Sequence, residues 1–409
     1  MPTVIRAASI LSLVLMLSAC ASSPFTEKRL VQSPRPYFAL LKDAEQRYEK
    51  LAGTPSPELT RALHDVTLYR SWLGDEEGSL LAFDRSLPRG KPFAPQSTAG
   101  SFPQDIEVEP AIQTIVREAA KHQIVILNES HHRSMHRAFA LKVALELRKL
   151  GFTYLAVETL NTAAPNGFAR MNRFSGFYSQ DPVFAEFLRE AKDVGYELVA
   201  YEHIPKATQS GEQDISEREE GQARNLISAV LDKNPAARVL VFVGFSHVME
   251  SPQSPKLEWM ASRLKRLTDI DPLTIDQTTL MRGGVFGISP VYEFVLRRHA
   301  PTVPVTLKSA HGQPIVVGQF QGKVDLQVLH PDYPTAHGRP GWLASLAGRK
   351  PHPIPIENLP QSGRRLIKAM HDDDSESDGV PLDMVIVEAG KAAPMLMLPA
   401  RNFRILFED

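Results

Sequence analysis

Five apolar stretches of this 409-residue chain run into side chains that can move a proton or hold a metal. Residues 124–127 (IVIL) lead into Asn128, Glu129, His131 and His132, with Arg137 shortly after. Residues 154–157 (YLAV) lead into Glu158, and residues 197–200 into Tyr201, Glu202 and His203. Residues 238–245 lead into Ser246 and His247, and residues 272–275 into Asp276 and Gln277. A single His after a strand is most often structural. Recurrence at equivalent points is different, because a reactive site needs several polar groups converging between low-dielectric walls.

Two chemistries fit these residue types. A His supported by a carboxylate can draw a proton from water, making a nucleophile for an ester, lactone or amide carbonyl. In that scheme His131 or His132 is the base, Glu129 and Glu158 orient it, and His247 is the acid or second base. Alternatively Glu129, His131, Glu158 and His247 ligate a divalent metal that lowers the pKa of bound water. Their spacing is not that of an H-E-x-x-H zinc helix. Arg137, one turn into the following helix, is placed to pair with a carboxylate or hold an oxyanion.

Other motifs fall away. GFSHV (244–248) opens like a nucleophile elbow but ends in Val248 where that motif needs Gly. GGVFG (283–287) is not a dinucleotide fingerprint, and no P-loop occurs. The five His from His311 to His371 are scattered in predicted loops and read as surface residues, and the acidic run 371–379 reads as a solvated loop, without the spacing of an EF-hand.

The elements that must position the candidates form a repeating pattern. From about 110 to 285, helical segments alternate with near-continuous apolar runs. Such runs mark strands covered on both faces, hence a mostly parallel sheet with right-handed crossovers. The spacing predicts helices at 111–122, 134–150, 182–195, 216–234 and 254–268, with strands between them. The expected architecture is a three-layer α/β domain over 105–289. Before it come a helical segment (36–86) and a linker (88–104). After it comes a β-rich extension (290–409), expected to be antiparallel or mixed and able to continue the same sheet. In open parallel sheets ligands bind outside the carboxyl ends of the strands, where the candidate residues fall.

The chain begins with one Arg, an apolar stretch (7–19) too short to span a bilayer, and then Cys20, its only cysteine. This has the form of a bacterial lipoprotein signal over 1–20, with Cys20 lipidated and residues 21–35 as a tether. It predicts a cell-envelope protein held to the bilayer by a lipid anchor, on the periplasmic face of the outer membrane, with no disulfide or thiolate chemistry. A formal net charge of −1 provides no field to recruit nucleic acid.

The segment ILNESHH, the following Arg137, and GFTYLAVETL together resemble the superfamily that joins erythromycin esterases, haem-binding iron-uptake lipoproteins and Tiki-type metalloproteases. Glu129 matches its first Glu, His131 or His132 its first His, Arg137 its Arg, Glu158 its second Glu, and His247 its late His. Asn128 stands where that group has Gly. Residues 218–226 (REEGQARNL) resemble a helix of the same group, with Gln222 in place of Met. The match spans about 110–285. It implies one of three activities on a shared scaffold: hydrolysis of a small-molecule or peptide substrate, metal-dependent proteolysis, or haem binding. The haem alternative implies an axial ligand among Tyr201, His203 and the His131/His132 pair. A third possibility is an envelope lipoprotein with a purely structural role.

Overall fold

The computed structural model describes residues 34–53, 55–86, 105–162, 164, 168–205, 212–253, 257–282 and 289–409. Cys20, the expected linker and the GGVFG stretch lie outside the described residues. Among those described, no helix is long and apolar enough to cross a membrane.

The described residues open with three helices, α1 (Tyr37–Leu51), α2 (Pro57–Trp72) and α3 (Glu76–Ser86). They pack in sequence and dock on the body through Trp72, which meets Phe177 edge-on at 5.5 Å. Ser56 starts α2: its hydroxyl accepts the Leu59 amide at 3.1 Å, and Pro57 follows in the first turn. The same device recurs twice. Asp181–Pro182 starts α6 (Pro182–Asp193), and Ser289–Pro290 starts α9 (Pro290–His299). A polar cap satisfies an orphan amide, and proline fills a position whose N–H has no partner anyway.

Eight strands form the central sheet, in the order β1-β7-β8-β6-β2-β5-β3-β4. Six of them run parallel. These are β8 (Leu326–Leu329), β6 (Leu273–Leu280), β2 (Ile124–Glu129), β5 (Val239–Gly244), β3 (Tyr154–Val157) and β4 (Glu197–Ala200). At one edge β7 (Val305–Ser309) and β1 (Ile106–Pro110) add antiparallel pairs. The expected α/β class holds, with a longer body than the expected boundary at 289 implies: β7 and β8 belong to this sheet. Beyond it, β10 (Arg364–His371) pairs antiparallel with β11 (Asp383–Glu388) and β13 (Phe403–Glu408). The short strands β9 (Lys350–His352) and β12 (Leu396–Leu398) pair with each other.

Alternation along the strands divides the core into two layers. Val125 and Leu127 of β2 face the layer of α4 (Ala111–Ala119), α5 (Ser134–Lys149) and α6, among Ile115, Phe139, Phe184 and Phe187. Ile124 and Ile126 face the other layer, with Leu226 of α7 (Glu212–Leu226) and Met260 of α8 (Met260–Thr268). Helix α7 starts earlier than predicted and ends in a π turn (Ile227–Leu231), while α8 starts later. The acidic run is not wholly solvated: Asp374 is buried and pairs with Arg189 at 3.1 Å.

Candidate active site

Glu129 closes β2 on the α5/α6 side of the sheet, buried beneath Arg137. Arg137 lies one turn into α5, and its side chain has no solvent exposure. Its Nε donates to Glu129 Oε2 at 2.7 Å and its Nη2 to Oε1 at 2.9 Å. Its Nη1 donates to Asp181 Oδ2 at 2.5 Å, and Nη2 also reaches the His131 carbonyl at 2.8 Å. Two acids and a bidentate guanidinium thus form a closed buried unit. Burial pushes the Glu129 carboxyl up, but Arg137 and the His131 hydrogen bond outweigh it and hold it below the ordinary value.

His131 reads that unit. Its Nδ1 lies 2.9 Å from Glu129 Oε1. A carboxylate that is also held by Arg137 can only accept, so Nδ1 carries the proton and Nε2 keeps a lone pair. The ring stacks on Tyr178 at 3.8 Å and meets Phe245 edge-on at 5.0 Å. Burial lowers its proton affinity below that of an ordinary histidine, and the attraction of Glu129 and Glu158 does not restore it. The ring is therefore neutral at pH 7, a requirement for a general base.

Glu158, just past β3, sits on the α7 side. Its Oε1 accepts from Arg218 Nη2 at 2.7 Å, and its Oε2 from the Gly244 amide at 2.5 Å. Arg218 also holds Glu202, through Nε at 2.9 Å and Nη2 at 2.8 Å, and Gln222 donates to the same acid at 2.9 Å. Burial pushes Glu158 up, but the charges of His247 and Arg218 outweigh it and bring its pKa down to about 2.

His247 follows β5 in a 3-10 turn. Its Nδ1 lies 2.8 Å from Glu219 Oε2, which also accepts the Met260 amide at 2.7 Å. Its Nε2 lies 3.4 Å from Glu158 Oε1 and 3.3 Å from Arg218 Nη1. Either protonation state finds a partner: Nε2–H faces the Glu158 carboxylate, while a bare Nε2 accepts from Arg218. Burial lowers the proton affinity of His247, but Glu219 and Glu158 outweigh burial and raise it.

Gly244 joins the two sides of the sheet. A methyl group added there would lie 2.5 Å from His131 Nε2 and 2.9 Å from Glu158 Oε2. Its missing side chain is what lets an imidazole from the α5 side approach a carboxylate from the α7 side. Phe245, next in the chain, has φ of 40°, and Thr159, after Glu158, has φ of 69°. Both are strained non-glycine positions at strand ends, and such strain collects at working sites.

The structure brings together Glu129, His131, Arg137, Glu158 and His247. It does not bring His132 to them. That ring stacks on Phe83 of α3 at 4.0 Å, and its Nε2 is buried with no hydrogen-bond partner. Two consecutive residues leaving a strand end diverge, and only the first stays over the sheet. Asp276 and Gln277 lie within β6 and cross-link strands: Asn128 Nδ2 donates to Asp276 at 2.8 Å, and Asn128 Oδ1 accepts the Gln277 amide at 2.8 Å. Asn128 needs no positive φ for this role. Missed from sequence were Asp181, Tyr178, Arg218 and Glu219. Arg218 and Glu219 stand in the REEGQARNL helix, whose likeness to the family was legible without showing what its charges hold. Asp181 and Tyr178 lie in the 161–181 stretch, where no local pattern marks them as site residues.

The four residues expected as metal ligands do not form a ligand set in this arrangement. Each carboxylate already binds a guanidinium, and among the described residues no group of three or more His, Cys, Asp or Glu is arranged to hold an ion. Of the residues that the haem alternative implies, Tyr201 is fully buried with its hydroxyl unpartnered, and His203 lies 3.5 Å from Glu217.

No family model matches the chain, and no curated protein matches it significantly. Solved structures similar to it include bacterial protein toxins. One shares 14% identity over 59% of this chain and 53% of its own, with a TM-score of 0.32. A second shares 13% over 64% and 56%, at 0.31. The RRSP effector domain of a MARTX toxin from Vibrio vulnificus CMCP6 shares 13% over 64% and 55%, at 0.29. The chain spans about half the length of each, a likeness too slight to bear on chemistry.

Proposed function

We propose that this chain is a hydrolase that activates water with a Glu129-supported His131 against an ester, lactone or amide carbonyl. His131 Nε2 takes a proton from water as the water oxygen bonds to the carbonyl carbon. The bond to the leaving oxygen or nitrogen then breaks, and His247 gives that atom a proton. Glu158 lies between the two imidazoles and stabilises charge on either. The observation that carries this reading is the Glu129–His131 hydrogen bond at 2.9 Å, which fixes the tautomer, with a second histidine, His247, held 3.4 Å from Glu158. Burial pushing His131 down and neighbouring acids raising His247 is in keeping with a base and an acid. The sequence likeness to the erythromycin esterase superfamily supports the same reading.

Hydrolysis of a panel of nitrophenyl esters, lactones and peptides, with and without chelator, tests it. The expected kcat/KM profile is a bell. Its acid limb lies below the ordinary histidine value, where His131 becomes protonated; its alkaline limb lies above that value, where His247 loses its proton. Absence of turnover across the whole panel sinks the reading.

We further propose that the protein is a lipid-anchored member of the cell envelope, on the support of the apolar stretch ending at Cys20. Fatty-acid labelling in cells, lost in Cys20→Ser, is the expected result. Unlabelled wild type overturns it.

A further inference from the structure

On the far side of β2 from Glu158, the strand-end rim carries polar side chains that the proposed reaction does not use. His330, which sequence reasoning placed on the surface, follows β8 and has no solvent exposure. It lies beside His136 at 5.5 Å and Phe139 at 5.2 Å. Arg133, just before α5, is 5% exposed, and Tyr292 of α9 is 4% exposed. Several buried atoms here have no hydrogen-bond partner: Arg133 Nε and Nη1, the Tyr333 hydroxyl and His330 Nδ1; the Tyr292 hydroxyl meets only the Arg282 backbone. Glu76 Oε1 comes within 3.3 Å of Arg133 Nη1 but is out of line for a hydrogen bond.

These groups feel one another. Burial, then the charge of Arg133, holds His330 down to about 3. Burial pushes Tyr292 up to about 12; Asp332 adds to this, and the Arg282 backbone and then the charge of Arg133 oppose it. Tyr292 in turn acts on Tyr333 after burial. Leaving buried donors unmade is costlier than pairing them, and native folds rarely tolerate several in one place. The set is also chemically specific. Arg133 offers a fixed positive fork and the tyrosines offer hydroxyl donors. The Nε2 of neutral His330 meets Gln277 Oε1 at 3.0 Å, so it is the donor there and Nδ1 is left as an acceptor.

We propose that Arg133, Tyr292, Tyr333 and His330 form a receptor for an acidic group that also bears a hydroxyl, such as a protonated phosphate or a hydroxy acid, and that this group belongs to the substrate. Arg133 follows His131 by two residues, so the receptor and the proposed base leave the same strand end. Only the assignment to substrate rests on the hydrolase reading; the receptor does not.

Calorimetric titration of the full chain with inorganic phosphate tests the receptor. Wild type is expected to bind it, more tightly than sulfate, which lacks the hydroxyl. Arg133→Gln is expected to weaken binding roughly tenfold or more, as loss of a charged hydrogen-bonding partner does. Tyr292→Phe removes a hydroxyl whose own proton has no acceptor, keeps the ring packed, and is expected to weaken binding by a smaller factor. No binding by wild type, or undiminished binding in both variants, overturns the receptor. A second arm compares kcat/KM for mono-4-nitrophenyl glutarate and 4-nitrophenyl butyrate. A preference for the acidic ester that shrinks in Arg133→Gln assigns the receptor to substrate. Equal rates remove that assignment. Phosphate binding with no turnover of either ester leaves the receptor standing and counts against the hydrolase reading alone.

Discussion

His131 and His132 are consecutive and both buried, yet they enter opposite surroundings. His131 has its Nδ1 on an arginine-held carboxylate and its ring on Tyr178. His132 has an apolar stacking partner, Phe83, and an Nε2 with no partner at all. The division continues along the rim. On the side of β5, β3 and β4 each acid has a cation: Glu129 has Arg137, and Glu158 and Glu202 share Arg218. On the side of β6 and β8, neutral amides tie the strands together. Gln277 donates to the Asn128 carbonyl at 2.7 Å, and Gln327 to Asp276 at 2.9 Å. Above them, Arg133 Nε and Nη1 make no hydrogen bond, whereas every nitrogen of the Arg137 guanidinium makes one. Residue type alone does not fit a histidine to act as a base: its tautomer must also be fixed by an oriented acceptor behind the ring, as Glu129 fixes His131.

His131→Ala breaks the comparison most directly. Loss of a general base lowers rates by roughly 10²–10⁴-fold, and that loss in kcat/KM is expected on whichever ester of the panel is turned over. The acid limb of the pH profile should vanish with it. A variant that keeps most of its activity removes His131 from the reaction.

The next effect is on stability. Arg137→Gln leaves the Glu129 and Asp181 carboxylates without their buried cation, and breaking such a unit costs about 3–5 kcal/mol. Arg133→Gln removes a guanidinium whose Nε and Nη1 have no hydrogen bond, so denaturant unfolding should show a far smaller loss, or a gain. Equal losses in the two variants would erase the distinction between the fully paired Arg137 and the partly unpaired Arg133.

Much of this was legible in the chain. Continuous apolar runs announced buried parallel strands, and their polar successors announced the rim, because alternation and strand direction are local properties. Glu129, Glu158 and His247 were found that way. What was hidden depends on contacts between distant segments. His330 follows a short strand among Pro-rich loops, and only the sheet order shows that it is interior. Strand β1 is five residues long, and its pairing with β7 draws on a segment nearly 200 residues away. Nor does any local pattern say which of two adjacent histidines turns toward a carboxylate; that follows from Arg137 fixing Glu129 and from Tyr178 closing over the ring.

The smallest expected effect tests that last point. His132→Phe keeps a flat ring against Phe83 and removes the unpartnered Nε2. Near-volume-conserving core swaps usually change stability by under about 1.5 kcal/mol, and removing an unpaired buried nitrogen acts in the favourable direction. Activity on the same ester should stay within about twofold of wild type, since a ring on the α3 side does not touch the Glu129–His131 hydrogen bond. If His132→Phe instead loses activity as fully as His131→Ala, the base is His132. The strand end must then rearrange to bring it over the sheet, and the division of the rim into a reactive and a receptive half fails with it.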